Sequence, residues 1–197
     1  MNYLSNREGA LRALTFFQER HAEKPVFSAG DEIKPFPSEL YVNKEITVGG
    51  GFVPLLTGGT DSEIGITNFD GNKLEDGRAF AIDGISFKVG KAKIGTLPYN
   101  VDYATGLTKE EKKAFQFADV VAKQNNEVLV RMSVSAIENG ASLTSEYRDL
   151  ALALIRPKTK VELGIEFPSG VEAPKLADGN GVFVSAVLRG YESYQRR

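Results

Sequence analysis

The chain of 197 residues contains no cysteine, no tryptophan and a single histidine, His21. Without cysteine it cannot form disulfide bonds, bind metals through thiolates or use a catalytic thiol. A single histidine excludes zinc or iron sites that need several histidines, and any serine triad would depend on His21 alone. We expect His21 to interact with the carbonyl groups at the end of a helix rather than to act as a base. We therefore predict a protein that is not an enzyme and has no cofactor.

The chain also lacks a strong net charge and a long apolar run. Its 24 basic and 26 acidic residues give a net charge of -2, and its basic groupings are small, so we expect no specific nucleic-acid site. No window approaches the roughly 20 apolar residues that span a bilayer. The N-terminus lacks the basic and apolar regions of a secretory signal. We therefore expect no transmembrane segment and synthesis in the cytoplasm.

The strongest positive signal is the alternation of apolar and polar residues in the last third of the chain. From Val161 to Phe167 every second residue is apolar, which is the period of a strand with one buried face. Turn-forming residues bound this segment on both sides, at Pro157 and at Gly170. Residues 147–157 and 181–194 also have the pattern of extended segments. The last third therefore predicts three strands.

The middle of the chain predicts further short strands separated by glycine-rich turns. We expect them at residues 40–48, 52–56, 64–69, 78–89, 118–124 and 127–135. Asn125 and Asn126 tolerate the positive φ of a two-residue hairpin between the last two of these strands. Thr108 and Glu111 have the spacing of a capping box and predict a short helix over residues 109–117. The eight or nine strands favour a sandwich or a barrel.

The N-terminal region predicts a helix followed by an extended arm. Ser5 and Glu8 have capping-box spacing, so we expect a helix over residues 6–20. Its apolar residues gather on one broad face, and they are Ala10, Leu11, Ala13, Leu14 and Phe17. This face packs either on its own subunit or on a neighbouring copy, and the sequence leaves both open. Residues 23–38 hold three prolines, which cannot continue a helix or join a central strand.

One acidic segment superficially resembles a calcium loop but does not fit its pattern. Residues 70–77 read Asp-Gly-Asn-Lys-Leu-Glu-Asp-Gly, with glutamate where the EF-hand needs glycine, and Ala81 stands where the bidentate glutamate belongs. We therefore interpret the segment as a turn between strands. Four carboxylates could still converge at one end of a sandwich and bind a hard cation, namely Asp61, Glu63, Asp70 and Asp76. Their spacing does not require this, and we expect no bound metal.

The order of the predicted strands resembles that of a known group of proteins. The Asn125-Asn126 hairpin is followed by residues 150–157 (LALALIRP), 159–168 (TKVELGIEFP) and 182–192 (VFVSAVLRGYE), and residues 78–87 (RAFAIDGISF) supply an earlier strand. This pattern, over residues 79–192, is similar to that of jelly-roll virion proteins of tailless bacteriophages. The resemblance implies a jelly roll of two facing four-stranded antiparallel sheets that assembles in a capsid or a vertex. Related major capsid proteins commonly hold two jelly rolls, whereas this length suits one.

We therefore predict a mainly β protein with two parts. Residues 1–38 form an N-terminal amphipathic helix and proline-rich arm, and residues 39–197 form a single jelly-roll domain of about eight antiparallel strands with a short helical insert. The predicted function is that of a structural virion protein, made in the host cytoplasm, that binds copies of itself and other virion proteins. Shell subunit, pentameric vertex protein and spike base all remain open. The predicted oligomer contacts are Leu11, Leu14, Phe17 and Phe36.

The alternative is a jelly-roll protein that binds carbohydrate or cleaves glycans. Two carboxylates at the right separation suffice for glycoside hydrolysis, and the chain has 26 acidic residues. Exposed tyrosine or phenylalanine rings could form a platform on which sugars stack, although the absence of tryptophan weakens this alternative.

Overall fold

The structure of the chain is a computed structural model that describes residues 3–28, 32–46, 49–103, 107–140 and 145–194. These residues form eight strands and three helices. In chain order the elements are α1 (Tyr3–Glu23), β1 (Phe36–Ile46), β2 (Phe52–Pro54), β3 (Arg78–Lys93), α2 (Lys109–Gln116), β4 (Asp119–Gln124), β5 (Glu127–Ser133), α3 (Val134–Gly140), β6 (Arg148–Ile155), β7 (Val161–Glu166) and β8 (Asn180–Tyr194). A single 3₁₀ turn, Pro98–Asn100, lies between β3 and α2.

The strands form two four-stranded sheets in which every pairing is antiparallel. The first sheet has the order β1-β8-β3-β6, and the second has the order β2-β7-β4-β5. One continuous apolar core receives side chains from both sheets, including Phe80 and Leu188 from the first sheet and Val120 and Ile165 from the second. The prediction of a mainly β protein with eight antiparallel strands is confirmed, and the two sheets around one core are consistent with a β-sandwich.

Several local predictions from the sequence are confirmed. The two-residue turn between β4 and β5 has φ of 52° at Asn125 and 64° at Asn126, as a hairpin of this length requires. Thr108 caps α2, and the Glu111 side chain accepts a hydrogen bond from the Thr108 backbone N–H, which completes the capping box. The proline-containing segment enters β1 at Pro37, and β1 is an edge strand of its sheet. Proline is tolerated there, because one side of an edge strand has no neighbouring strand to which a backbone N–H would donate.

The predicted strand at residues 64–69 is wrong. The chain instead folds back on itself between Glu63 and Thr67, whose backbones exchange hydrogen bonds of 3.0 and 2.9 Å. Gly65 in this turn has φ of +83°. The segment nevertheless covers the free edge of β1, because the Asn43 N–H donates to the Ile66 carbonyl at 2.7 Å and the Tyr41 N–H donates to the Asn68 side chain at 2.9 Å. The edge is therefore closed by a hydrogen-bonded turn rather than by a ninth strand.

Two helices also differ from the predictions, one in where it begins and one because no helix was expected there. Helix α1 begins at Tyr3, so Ser5 lies within the helix and is not its N-cap. Helix α3 was not predicted, because the alternating pattern of β5 continues past Ser133 in the sequence. The Ala136 N–H donates to the Ser133 hydroxyl at 3.3 Å, as at a helix N-cap, and the new helix buries Val134 and Ile137. Ser133, a residue type that favours the N-cap position, was the one signal for this helix, because the residues after it include Val134, Asn139 and Gly140, which have low helix propensity.

Candidate functional site at the N-terminal helix

Helix α1 packs on the outer face of the first sheet, away from the core between the sheets. Four residues of the sheet are buried against it, and we call them the helix seat: Ala79, Ala81, Leu154 and Tyr191. The N-terminal region contributes Ala13 and Phe17, both 0% exposed, together with Val26 and Phe27. No residue belongs both to this cluster and to the core of the sandwich. The helix is therefore held by a second, separate apolar cluster.

The alternation of β3 explains why the two clusters are separate. Ala79 and Ala81 belong to the cluster under the helix, whereas Phe80 and Ile82 between and after them belong to the core. Successive side chains of a strand point to opposite faces. The small alanine side chains on the outer face allow the helix to approach the sheet closely, and the Phe17 ring fills the space above them.

The turn that follows α1 places Val26 and Phe27 in the same apolar cluster. The Nδ1 atom of His21 accepts hydrogen bonds from the backbone N–H groups of Val26, at 3.2 Å, and of Phe27, at 3.5 Å. His21 lies in the last turn of α1 as expected, and its predicted interaction with the terminal carbonyls of the helix stays a prediction. Its imidazole acts as an acceptor that stabilises the turn, and Val26 and Phe27 become buried as a result.

A β-bulge places a buried carboxylate beside the helix seat. The register of β3 against β8 shifts between Ile82 and Gly84, so Asp83 is the additional residue in that ladder. The Asp83 carboxylate accepts a hydrogen bond of 2.8 Å from Arg189 Nε, and a second guanidinium nitrogen of Arg189 donates to Asp149 at 2.8 Å. A Cβ atom at position 84 would lie 2.9 Å from the Arg189 guanidinium. Glycine therefore leaves room for the arginine over the bulge.

Two contacts join this charged group to the helix. The Arg12 guanidinium lies 3.8 Å from the second oxygen of Asp83. One turn earlier, Gly9 lies against the Tyr191 hydroxyl, and a Cβ atom at Gly9 would overlap that oxygen. Burial, and next the negative charge of Asp83, raise the pKa of Tyr191 above the usual value for tyrosine. The Tyr191 hydroxyl is therefore protonated near neutral pH and can donate a hydrogen bond.

A cleft of about 860 Å³ lies between α1 and strands β1 and β8. Its charged lining residues are Glu8, Arg12, Glu39, Asp83 and Arg189. Next to the cleft the Tyr147 hydroxyl donates to Glu39 at 2.5 Å, and the Arg189 guanidinium lies 5.1 Å from the centre of the Tyr147 ring. Burial, and next the hydrogen bond to Glu39, raise the pKa of Tyr147. The site therefore combines an apolar seat with charged side chains, of which Asp83 and Glu39 accept hydrogen bonds from Arg189 and Tyr147.

The four predicted oligomer contacts lie in different environments. Phe17 is fully buried in the cluster on its own chain, and Leu14 is half-buried. Leu11 is 55% exposed on α1. Phe36 is 43% exposed at the start of β1, where its ring stacks on Tyr194 with 5.9 Å between the ring centres. The structure brings Phe17 into the helix seat and leaves Leu11 and Phe36 accessible to a partner.

The sequence analysis missed the charged part of the site. Asp83 and Arg189 are 106 residues apart in the chain, so no local motif connects them. The one available signal was Gly84 within a strand pattern, because a glycine there indicates a bulge or a close backbone approach. That signal locates the bulge but does not identify the arginine that lies over it.

The described residues contain no group of three or more histidine, aspartate or glutamate side chains that could hold a metal ion. No three of the acidic residues considered for a cation site form such a group. Asp76 forms an ion pair of 2.8 Å with Lys158. The backbone of Asp70 forms an isolated antiparallel β-bridge with that of Lys73. In the same described part of the chain, none of the helices has the length and apolar character needed to cross a membrane.

Comparisons with protein-family models, with curated proteins and with solved structures found no match for this chain. The function is therefore inferred from the strand order, from the separate cluster that holds α1 and from the exposed surfaces of the chain.

Proposed function

We propose that this chain is a structural virion protein, a capsid or vertex subunit, that assembles with copies of itself by exchanging its N-terminal helix. Its β domain would be a jelly roll. The observation that carries the proposal is that α1 is held outside the sandwich core by its own apolar cluster. Other virion proteins are its further expected partners, and the virion is its expected location.

The pairing of the strands supports the jelly-roll assignment. β1 pairs with β8, β3 with β6, β2 with β7, and β4 with β5. These are the four pairs of one long antiparallel ribbon whose turn is the β4–β5 hairpin. Placing alternate pairs in opposite sheets gives the orders β1-β8-β3-β6 and β2-β7-β4-β5. This arrangement supports the proposal of a jelly roll, the fold of eight strands in two sheets that viral capsid domains use.

The position of α1 makes exchange between subunits possible at low cost. If α1 of one subunit occupies the helix seat of its neighbour, every apolar contact of Phe17 and Ala13 is kept. Exchange of an identical element between protomers is a low-cost route to oligomers for this reason. The sandwich core would not need to open, because it shares no residue with the cluster under the helix. In addition, Leu11 could gain burial between two subunits.

The first test is the mass of the full chain, measured by light scattering after size-exclusion chromatography and followed by negative-stain imaging. We expect rings, pentamers, trimers or shells. A uniform monomer of 21.5 kDa at every concentration would contradict the proposal.

A variant with a matched control tests the helix itself. Leu11→Asp places a charge on an exposed apolar position of α1, so it should leave the monomer folded and weaken assembly. Val128→Asp places the same charge on an exposed apolar position of β5, in the other sheet, and should change neither property. Equal assembly of both variants and the parent chain would show that Leu11 is not at a subunit contact.

A truncation tests the arm as a whole. The structure sharpens its boundary, because β1 already begins at Phe36 and the Lys34 N–H donates to the Ser193 hydroxyl at 3.2 Å. Removing residues 1–31 therefore spares the strand, whereas removing residues 1–37 would cut into it. We expect a folded β domain, recognised by its circular dichroism, that no longer assembles. A truncated chain that still forms the full oligomer would contradict the arm's role.

The cleft beside α1 supports a second candidate function, carbohydrate binding or glycan cleavage. It holds three carboxylates, those of Glu8, Glu39 and Asp83, and the Tyr191 side chain also lines it. Its volume of about 860 Å³ is within the range of ligand pockets. A glycan array probed with the full chain separates the candidates. Selective binding that is lost in Glu39→Gln, from a chain that stays monomeric, would favour this function over assembly.

A further inference from the structure

His21 holds the turn after α1 through an acceptor that only its neutral imidazole has. Its Nδ1 atom accepts hydrogen bonds from the backbone N–H groups of Val26, at 3.2 Å, and of Phe27, at 3.5 Å, and these contacts are partly buried. A neutral imidazole has one nitrogen without a hydrogen, whereas an imidazolium ion carries a hydrogen on both nitrogens. Protonation of His21 therefore removes the acceptor and places an N–H group against the two that it served.

The two residues that the imidazole holds are part of the apolar cluster that docks α1. Val26 and Phe27 are both buried. They share the cluster with Ala13 and Phe17 of the helix and with the helix seat. A partly buried backbone N–H group that loses its acceptor is costly unless it reaches water. Loss of the His21 acceptor therefore favours an open turn, in which Val26 and Phe27 leave the cluster.

The charged groups at the turn come from α1, from the turn itself and from the end of β6. Arg20 and Glu23 in the last turn of α1 pair with each other at 2.7 Å. Lys24 follows the helix, and its backbone carbonyl accepts a hydrogen bond of 3.0 Å from the Arg156 guanidinium, just beyond β6. These residues carry three positive charges and one negative charge, so they do not favour an imidazolium at His21.

The other elements packed on the cluster hold their titratable groups in a pair or at the far end of the helix. In the segment before β1, Glu32 and Lys34 pair with each other at 2.9 Å. On β8, Tyr191 lies against Gly9, about three helical turns before His21. β3 and β6 contribute alanine and leucine side chains to the cluster. His21 is therefore the group at the turn whose charge changes between pH 5 and 8.

The dipole of the helix does not offset this loss. The carbonyl groups at the end of a helix attract a positive charge, and His21 lies in the last turn of α1. This attraction acts on an imidazolium whether the turn beyond the helix is closed or open. It therefore leaves the balance between the closed and the open turn to the two hydrogen bonds that Nδ1 accepts.

We infer that His21 is an acid-sensitive switch, whose protonation opens the turn after α1 and releases Val26 and Phe27 from the helix seat. The closed turn is stable at the upper end of the range in which histidine titrates and is lost as the pH falls through it. The inference goes beyond the proposed assembly and does not depend on it. If α1 is exchanged between subunits, the three residues remain on one chain and keep the same hydrogen bonds.

Hydrogen exchange of the full chain at pH 7.5 and pH 5.5 measures the opening of the turn. Each rate is divided by that of an unstructured chain at the same pH, which removes the intrinsic pH dependence of exchange. We expect the protection of the Val26 and Phe27 amides to be about tenfold lower at pH 5.5, the effect of losing one or two hydrogen bonds. Amides in the middle of β3 and β8 should keep their protection, which distinguishes the switch from acid unfolding of the sandwich.

Two variants test whether His21 is the group responsible. In His21→Asn the side-chain oxygen is attached to Cγ, as Nδ1 is in histidine, so it supplies an acceptor that does not titrate. His21→Ala has no acceptor at either pH. Neither variant should lose protection between pH 7.5 and pH 5.5, and His21→Ala should match the low protection of the parent chain at pH 5.5. Equal protection of the parent chain at both pH values would overturn the inference, as would a tenfold fall that persists in His21→Ala.

Discussion

Replacing Phe17 by alanine should release α1 while the sandwich stays folded. Phe17 is 0% exposed and is the largest fully buried side chain that α1 places on the helix seat. Truncating a buried phenylalanine to alanine costs about 3–5 kcal/mol. Since about 1.4 kcal/mol is a factor of ten in an equilibrium constant, the ratio of released to docked helix should rise by about 10² to 4 × 10³.

Hydrogen exchange of backbone amides measures this change element by element. In Phe17→Ala the amides of α1 should lose protection, whereas those in the middle of β3 and β8 should keep theirs. The matched control is Phe80→Ala, which removes an equally buried ring from the core between the sheets. That variant should lower protection throughout the sandwich. Equal loss in α1 and in the sandwich for Phe17→Ala would refute the idea that the helix is held independently.

Three further predictions concern the sandwich. Gly190→Ala should destabilise the sandwich by about 3 kcal/mol, because the added Cβ would overlap a backbone carbonyl of β3. The control is Gly58→Ala, whose added Cβ meets no atom within 4 Å, so its melting temperature should be nearly that of the parent chain. Arg78 and Glu192 form a buried ion pair, so removing either partner should cost about 3–5 kcal/mol, and removing both should cost less than the sum in a double-mutant cycle. Burial raises the pKa of Tyr103 to about 12 from 10.0. The native state therefore keeps a proton that the unfolded chain loses, and this stabilisation, complete below pH 10, is lost as the pH rises towards 12. Urea titrations should show a shallower alkaline decline for Tyr103→Phe, and an identical decline in both proteins would contradict this.

The strands could be predicted from the sequence because each has an apolar side and a turn at each end. The regular alternation of β7 predicted both ends of that strand to within one residue. The pair Asn125-Asn126 predicted the hairpin between β4 and β5. The failures occurred where tertiary hydrogen bonds outweighed the local pattern. Residues 64–69 have the composition of a strand, but Gly65 and the polar groups of β1 hold them in a turn.

The candidate site was predictable only in part, for a physical reason. The apolar face of α1 is visible in the sequence, because its residues recur at helical spacing. Its partner surface is not, because Ala79 and Ala81 occupy the outward positions of a strand whose inward positions are equally apolar. A strand that is apolar on both faces does not reveal what covers its second face. The pairing of Asp83 with Arg189 depends on the bulge and on the neighbouring strand.

The central claim is that α1 of one copy occupies the helix seat of another, and cross-linking between two variants tests it most directly. The chain has no native cysteine, so a short bismaleimide reacts only where cysteines are introduced. One variant carries Arg12→Cys on the helix, and the other carries Glu39→Cys on the opposite wall of the same cleft. When the two variants are mixed, unfolded and refolded together, we expect cross-linked pairs of chains. Cross-links that form only within a single chain carrying both cysteines, and never between the mixed variants, would contradict exchange of the helix.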